Sequence, residues 1–408
     1  MAILAIKNIA MDSGCLSRFA ILESQQVWPF RVIHHLISKC WTLGLVIDLS
    51  MNSLIKRILV LVWIIVCSGC VNTIPPKRVF NYEVKYCKND TPAKELIVSA
   101  PRQLYENLDD CLIRDSLVFC LSNGNSTLFD ILKLDTGERA GSFCHVGRAG
   151  EEVLSSLPLR SVYRNEAGEL FADIFSIMDG KLMRWNISSS IHSGKDVYDK
   201  ICFLSKDQFP PFTSILRVNG NKLVVFDAGV NAFASKLERI PDYREFDINA
   251  ESFSRSYDLF KQINAKAENS HFPSIAYYNC VDCVNPKEDK LAIAMSFMPV
   301  ISVIDVNSGK ARGFKIKGER DFSAQEPRSC FVDVQADDKY IYALYSGKAI
   351  DFEHGLELPD ILFVMDWDGS MIGKYQLGMP FSRIHLDGET LFFTHPDGVL
   401  CSIHVSDL

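Results

Sequence analysis

The sequence predicts an all-β fold, a six-bladed β-propeller, placed behind a lipoprotein signal peptide. Three observations predict it. Strand-like runs and tight turns recur in units spaced by about 50 residues. Asp-Gly and related pairs separate alternating apolar runs, where a tight hairpin needs residues that accept positive φ. A short apolar run from Ile58 to Cys67 follows Lys56-Arg57 and closes on Ser68-Gly69-Cys70.

The repeat is clearest near the C-terminus. Phe331 to Gly347 gives a strand, the turn Ala336-Asp337-Asp338-Lys339 and a second strand. Ile361 to Leu377 gives a third strand, the turn Asp366-Trp367-Asp368-Gly369 and a fourth. Phe381 to Val405 starts the pattern again around Asp387-Gly388. Earlier units begin near residues 280, 214, 161 and 112, with turns such as Asp135-Thr136-Gly137-Glu138 and Met178-Asp179-Gly180-Lys181. Four antiparallel strands per repeat of about 40 to 50 residues is propeller geometry, and six units fit residues 71 to 408. One stretch, Asp247 to Ala267, carries Tyr257, Phe260 and Ile263 at helical spacing and reads either as an inserted helix on one rim or as a loop whose spacing is chance. A propeller must close its ring, and the alternating run Val79 to Tyr86 is the expected closing strand, paired with the unit at 381–405.

Residues Met51 to Cys70 have a basic start, a short apolar core and small residues before a cysteine. Small side chains let a processing enzyme hold that backbone closely, and the Cys70 thiol accepts the lipid. Residues 1–50 have no clear period or cap, and Met51 is the expected initiator. A membrane-spanning helix needs about 20 apolar residues. The run from Ile58 to Cys67 has ten. A buried element of a soluble domain fits poorly with Lys56-Arg57 and Ser68-Gly69-Cys70. Cys67 stands where a branched aliphatic residue is more usual, which weakens the case for lipidation more than the case for export.

Residues 71 to 408 hold 37 Lys and Arg against 47 Asp and Glu, a net charge of −10. That balance argues against a nucleic-acid surface, which needs clustered positive charge. Nine cysteines follow Cys70, an odd number at irregular spacing and unlike a disulfide framework. Several, such as Cys120 in LVFCL and Cys401 in VLCSIHV, read as small buried hydrophobes.

Ser68-Gly69-Cys70, the stretch Gly147-Arg148-Ala149-Gly150-Glu151-Glu152 and the turns at Asp366-Trp367-Asp368-Gly369 and Asp387-Gly388 together resemble the TolB-like six-bladed propeller lipoproteins of Bacteroides-type bacteria. The stretch at 147–152 is one residue shorter than that family's pattern and lacks its proline. The resemblance implies an exported, membrane-anchored propeller. It implies no known catalysis and carries over no active-site residue.

Gly147-Arg148-Ala149-Gly150 has two readings: a turn between blades, or a backbone cradle for an anion with Arg148 as a bidentate donor. Cys280-Val281-Asp282-Cys283 lacks a second pair for zinc. Two plain strand cysteines are the first expectation there, and a local disulfide the next. The histidines are scattered, and the acidic residues sit mostly in turns, where turn chemistry explains them. The expectation is a non-enzymatic binding or interaction module without cofactor or metal. It would be lipid-anchored through Cys70 to the outer membrane, facing the periplasm or the exterior, with an envelope protein, peptide or glycan as partner. Arg148, Tyr257 and Phe260 are the candidate ligand contacts at the tunnel mouth, and the other reading of Tyr257 and Phe260 is that they pack the insertion onto the blades. The alternative is a calcium-dependent hydrolase or lactonase, recognised by convergent Asp, Glu, Asn or His side chains in the tunnel. Initiation at Met51 predicts that peptide mapping of the protein in its host finds no peptide from residues 1–50. Such peptides, attached to the mature chain, would place the start at Met1.

Overall fold

The computed structural model describes residues 73–408, apart from 106–107, 109, 123–125, 177, 205–211, 232–235, 238, 264–273, 324–325 and 352–356. Residues 1–72, with Cys70 and the segment predicted to be a signal, lie outside the described residues.

Among the described residues, the strands form six blades and two short two-stranded ladders. Blade 1 runs Cys111–Arg114, Leu117–Leu121, Thr127–Lys133 and Arg139–His145. Blade 2 runs Val162–Arg164, Leu170–Ser176, Lys181–Asn186 and Tyr198–Phe203. Blade 3 runs Phe212–Val218, Lys222–Asp227, Asp242–Asp247 and Ser252–Ser256. Blade 4 runs Cys280–Val284, Lys290–Met295, Val300–Asp305 and Ala311–Lys315. Blade 5 runs Phe331–Ala336, Tyr340–Tyr345, Ile361–Asp366 and Met371–Leu377. Blade 6 takes Arg383–Asp387, Thr390–Thr394 and Val399–His404 from the C-terminal end of the chain. The units expected near 112, 161, 214, 280, 331 and 381 are these six blades.

Sheets that bury both faces need apolar side chains on both sides of each inner strand. Leu170–Ser176 is buried at every position, and five of six residues are buried in both Lys290–Met295 and Tyr340–Tyr345. The core is therefore divided into one apolar layer per blade boundary. Phe129, Ile174 and Trp185 fill the layer between blades 1 and 2. Ile301, Phe331 and Phe363 fill that between blades 4 and 5. Leu344, Leu362 and Phe393 fill that between blades 5 and 6. Among the described residues, the layer with the fewest buried apolar members is at the boundary of blades 6 and 1, formed by Leu108, Cys111, Ile113, Val118, Cys120, Leu132 and Leu400.

The N-terminal segment is a strap over three blades. Val84–Tyr86 pairs in parallel with the outer strand of blade 4, and Ala93–Leu96 pairs in parallel with the outer strand of blade 5. Arg102–Gln103 then pairs antiparallel with Val399–Leu400 and supplies the fourth strand of blade 6. Closure is thus real, but its strand differs from the expected one. Val79–Tyr86 alternates because Phe80, Tyr82 and Val84 turn inward while Asn81, Glu83 and Lys85 are exposed, and the Tyr82 hydroxyl donates to Ser302 of blade 4 at 2.6 Å. The closing strand is too short for any periodic signal.

The helix expected over 247–267 is also corrected for residues 247–263, and 264–267 lie outside the described residues. Asp247 ends a strand, its carboxylate accepts the amides of Asn249 and Ala250, and Ser252–Ser256 returns as the outer strand of blade 3. Phe253 and Arg255 alternate with three exposed serines, which is a half-buried edge pattern of period two. Phe253 pairs across the ladder with Phe246, with ring centroids 5.3 Å apart, and the Arg244 guanidinium lies 3.8 Å from its ring centre. Among the described residues an α-helix forms at Ile187–Ser193, where it joins the third and fourth strands of blade 2. The Asn186 side chain accepts the Ser189 amide at its start, and Gly194 ends it with φ 67°.

Turn acids also join neighbouring blades. Asp387 of blade 6 accepts the amides of Asp115 and Ser116 in blade 1 at 2.9 and 3.0 Å. Glu288 of blade 4 accepts the Gly220 amide of blade 3 at 2.8 Å, and Asp196 of blade 2 accepts the amides of Cys144 and His145 in blade 1.

Closure makes Gly398 a sensitive position. Its φ is +82°, and a Cβ there would stand 1.6 Å from the Tyr105 carbonyl oxygen in the strap. Gly398→Ala should cost about 2–4 kcal/mol of stability, as backbone strain is compounded by a clash. Gly388→Ala, with φ +59° and open space around it, should cost only about 1–2 kcal/mol from strain alone. Urea unfolding of both variants checks this. Equal losses would show that the strap contact at Gly398 is unimportant.

Candidate functional site

The innermost strands of the six blades converge on the central axis, and their first halves carry a polar cluster. Asp333 is the third residue of the inner strand of blade 5 and is 1 % exposed. Its carboxylate accepts the amides of Val334 at 3.0 Å and Ile384 at 3.1 Å. Arg160, on the connector entering blade 2, reaches it at 3.4 Å. Blades 2 and 5 lie opposite each other in a six-membered ring, so this ion pair crosses the axis. Arg383 of blade 6 approaches Asp333 at 4.0 Å and bonds Asp110 at 3.2 Å.

Asp282 of blade 4 faces the same space. It accepts hydrogen bonds from Ser214 at 2.7 Å and Tyr243 at 2.8 Å. Burial pushes its carboxyl above the usual range, while Arg160 and these donors pull it back. His385 of blade 6 is 2 % exposed. Its Nε2 lies 3.6 Å from Cys111 Sγ and 3.5 Å from Thr394 Oγ1, and its Nδ1 is buried without a hydrogen-bond partner among the described residues. Burial drives its pKa down to about 4, with Arg383 and Arg160 adding to the effect and Asp333 opposing it. A neutral imidazole beside a buried, protonated thiol is a packing contact and lacks the thiolate that nucleophilic chemistry needs. Among the described residues, no group of three His, Cys, Asp or Glu side chains is placed to hold a metal ion.

The expected ligand contacts are not brought together. Arg148 is exposed on the connector from blade 1 to blade 2. The loop around it is built as a cradle, but its anion is internal: the Ala149 amide donates to the Glu152 carboxylate at 2.8 Å. Lys181, 3 % exposed, fixes the loop from below by donating to the carbonyls of Ala149 and Glu152 at 2.7 and 2.8 Å while pairing with Asp179 at 2.9 Å. Tyr257 and Phe260 lie on the connector from blade 3 to blade 4 and are 8 % and 1 % exposed. Phe260 packs on Phe80 of the strap and on Tyr278, with centroids 5.7 and 5.4 Å apart. The Tyr257 hydroxyl lies 3.5 Å from Glu245. Both rings anchor the connector, and neither offers a face to a ligand. Cys70 lies outside the described residues.

Cys280 and Cys283 share one strand three positions apart, so they face opposite sides of the sheet. Cys280 meets the Tyr243 hydroxyl at 3.2 Å, while Cys283 is buried between blades 4 and 5. A local disulfide between them is excluded by this alternation. The axial residues were missed in the sequence because Asp333, His385 and Arg160 are far apart along the chain. Asp333 and His385 do stand as charged or titratable residues inside apolar strand runs, the one signal they gave.

No family model matches the chain, and no curated protein matches it. Among solved structures it is similar to a member of the DUF4221 family from Bacteroides vulgatus, at 10 % identity over 76 % of this chain and 97 % of that one, with a TM-score of 0.48. It is also similar to a computationally designed protein, at 9 % identity over 72 % of this chain and 70 % of that one, with a TM-score of 0.35. The six-bladed architecture implied by the TolB-like resemblance is present in the chain's own sheets.

The axial histidine gives a pH dependence with a definite sign. Its pKa is depressed from 6.5 to about 4 on folding, so the unfolded chain takes up the proton first as pH falls. The stability it protects is fully present above about pH 6.5 and is lost progressively down to about pH 4, by roughly 3 kcal/mol. Urea unfolding at neutral and mildly acid pH should show this slope in the wild type and a shallower one in His385→Gln. Identical slopes would mean that His385 is accessible to protons in the fold.

Proposed function

We propose that this chain is an exported, lipid-anchored β-propeller that serves as a non-enzymatic binding or interaction module of the cell envelope. One observation carries the reading. The axis, where a six-bladed hydrolase would gather its metal ligands, is bridged by Arg160 and Asp333 from opposite blades. Asp282 is likewise taken up by Ser214 and Tyr243. The carboxylates that could coordinate calcium are engaged in holding the blades together. Interaction then falls to the outer surfaces, where Arg148 is the exposed cation of an otherwise pinned loop.

The anchor is the part of the reading drawn from the signal-like segment. Cys70 stands three residues before Thr73, the first described strand residue. The outer membrane, facing the periplasm or the exterior, is the site this implies, and the partner class is an envelope protein, a peptide or a glycan.

Labelling with a radioactive fatty acid should mark the wild-type protein, and Cys70→Ala should abolish the label and move the protein from the membrane pellet to the soluble fraction. A soluble, unlabelled wild-type product would sink the anchored reading. Stoichiometric calcium with lactonase activity in the purified chain would replace the binding module with a hydrolase.

A further inference from the structure

We propose that Cys111 and Cys120 form a cross-strand disulfide in the inner hairpin of blade 1. This rests on the export reading above, since a reducing compartment would keep the pair as thiols. Cys111 and Cys120 are register partners on adjacent antiparallel strands. Partners in register point to the same side of the sheet, and both lie in the apolar layer between blades 6 and 1. The neighbouring pair, Asp110 and Leu121, is joined by the Leu121 amide bonding the Asp110 carbonyl. Bonded and non-bonded pairs alternate along an antiparallel ladder, so Cys111 and Cys120 occupy a non-bonded pair. That is the closer class, with Cα atoms about 4.5 Å apart, inside the range a disulfide spans. Among the described residues no other two cysteines are register partners: Cys202 faces Leu182, Cys280 faces Met295, Cys283 faces Ala292 and Cys401 faces Phe393.

The chemistry is thiol–disulfide exchange with an external disulfide, from a protein or a small molecule of the exporting compartment. One thiolate attacks that disulfide and forms a mixed disulfide, releasing one thiol. The second then attacks the mixed disulfide and releases the other thiol. The two cysteine sulfurs are oxidised by two electrons, their two protons leave, and the external disulfide becomes two thiols. In the finished fold both sulfurs are buried, and burial pushes the Cys120 thiol up to about 12. Exchange is therefore fast only before Leu132 and Leu400 cover the pair. The hairpin is suited to early pairing, because its tight turn at Asp115 and Ser116, with φ 60° at both, brings the two strands together locally. The bond would staple the blade boundary with the fewest buried apolar members among the described residues.

The test is thiol mapping of the full chain. The envelope fraction is isolated, dissolved in guanidinium chloride with iodoacetamide so that every free thiol is exposed and capped, and the protein is cut with trypsin without reductant. Cleavage after Arg114 separates the two cysteines. The expected result is one linked peptide pair, lighter than its two thiol peptides by two hydrogens and split by reductant, with Cys202, Cys280 and Cys283 alkylated. Both cysteines alkylated in envelope-derived protein would overturn the disulfide and leave export standing. Reduced protein confined to the cytosol would overturn export instead. The disulfide would then stand or fall on the purified full chain, unfolded and refolded with oxidised glutathione: linkage of Cys111 to Cys120 supports it, and no linkage or mixed pairing overturns it. As a second readout, reductant should lower the thermal midpoint of the oxidised wild type by a few degrees and leave Cys120→Ala unmoved.

Discussion

Ring closure is the constraint on which the rest of the molecule depends. Each blade buries apolar side chains against two neighbours, so opening any one boundary exposes two faces at once. Among the described residues the boundary between blades 6 and 1 has the fewest buried apolar members, and it is the one the chain must close with its N-terminal strap. The two-residue strand Arg102–Gln103 is reinforced on both sides. The Leu104 amide bonds the Gly398 carbonyl, and the Ser99 amide bonds the Ser402 carbonyl. Arg102 itself donates to the carbonyls of Leu134 and Asp135 in blade 1. One arginine on the outer strand of blade 6 thus ties that blade to the next, and Asp387 does the same through the turn at Asp115 and Ser116.

The axis shows why buried charge persists in a fold built on apolar layers. Removing a carboxylate such as Asp333 from water costs several kcal/mol. Here the cost is offset by two backbone amides and two guanidiniums that converge from three blades. The geometry requires the blades to be in register, so the cluster rewards the closed ring and no partly assembled one. The strap contributes at the outside. Blades 4 and 5 already have four strands of their own, and the parallel additions Val84–Tyr86 and Ala93–Leu96 cover edges that would otherwise present unpaired amides.

The repeat was legible in the sequence because its signals are local. Alternation within six residues and Gly-bearing turns such as Asp366 to Gly369 report the hairpins directly, and the six unit starts follow from them. Three features were not legible for physical reasons. The closing strand is held by tertiary pairing at a separation of nearly the whole propeller, and two residues carry no period. The spacing of Tyr257, Phe260 and Ile263 is helical by number, but Phe260 and Ile263 are fixed by the strap and by Tyr278, and Tyr257 by Glu245 and the Tyr243 carbonyl. The short helix at Ile187–Ser193 has its cap and its terminal glycine in the sequence, yet its serine-rich body lacks an apolar stripe. At the candidate site the limit was different. Arg160, Asp282, Asp333 and His385 belong to four blades, and only closure brings them to one axis.

The strap also sets an order of events. Its three pairings join Val84 to Gly313, Ala93 to Lys374 and Gln103 to Val399. A chain that emerges from its N-terminus therefore holds these segments without partners until the last three blades are being made. Blades 1 to 3 can form from local hairpins in the meantime, since their strands are consecutive in the chain. The slow step is the return of the first thirty or so described residues to the final three sheets, a search over long sequence separations that carries a loop-closure cost. Until then the incomplete blade 6 has an open edge, and the newly made protein depends on whatever shields that edge in the compartment where it folds.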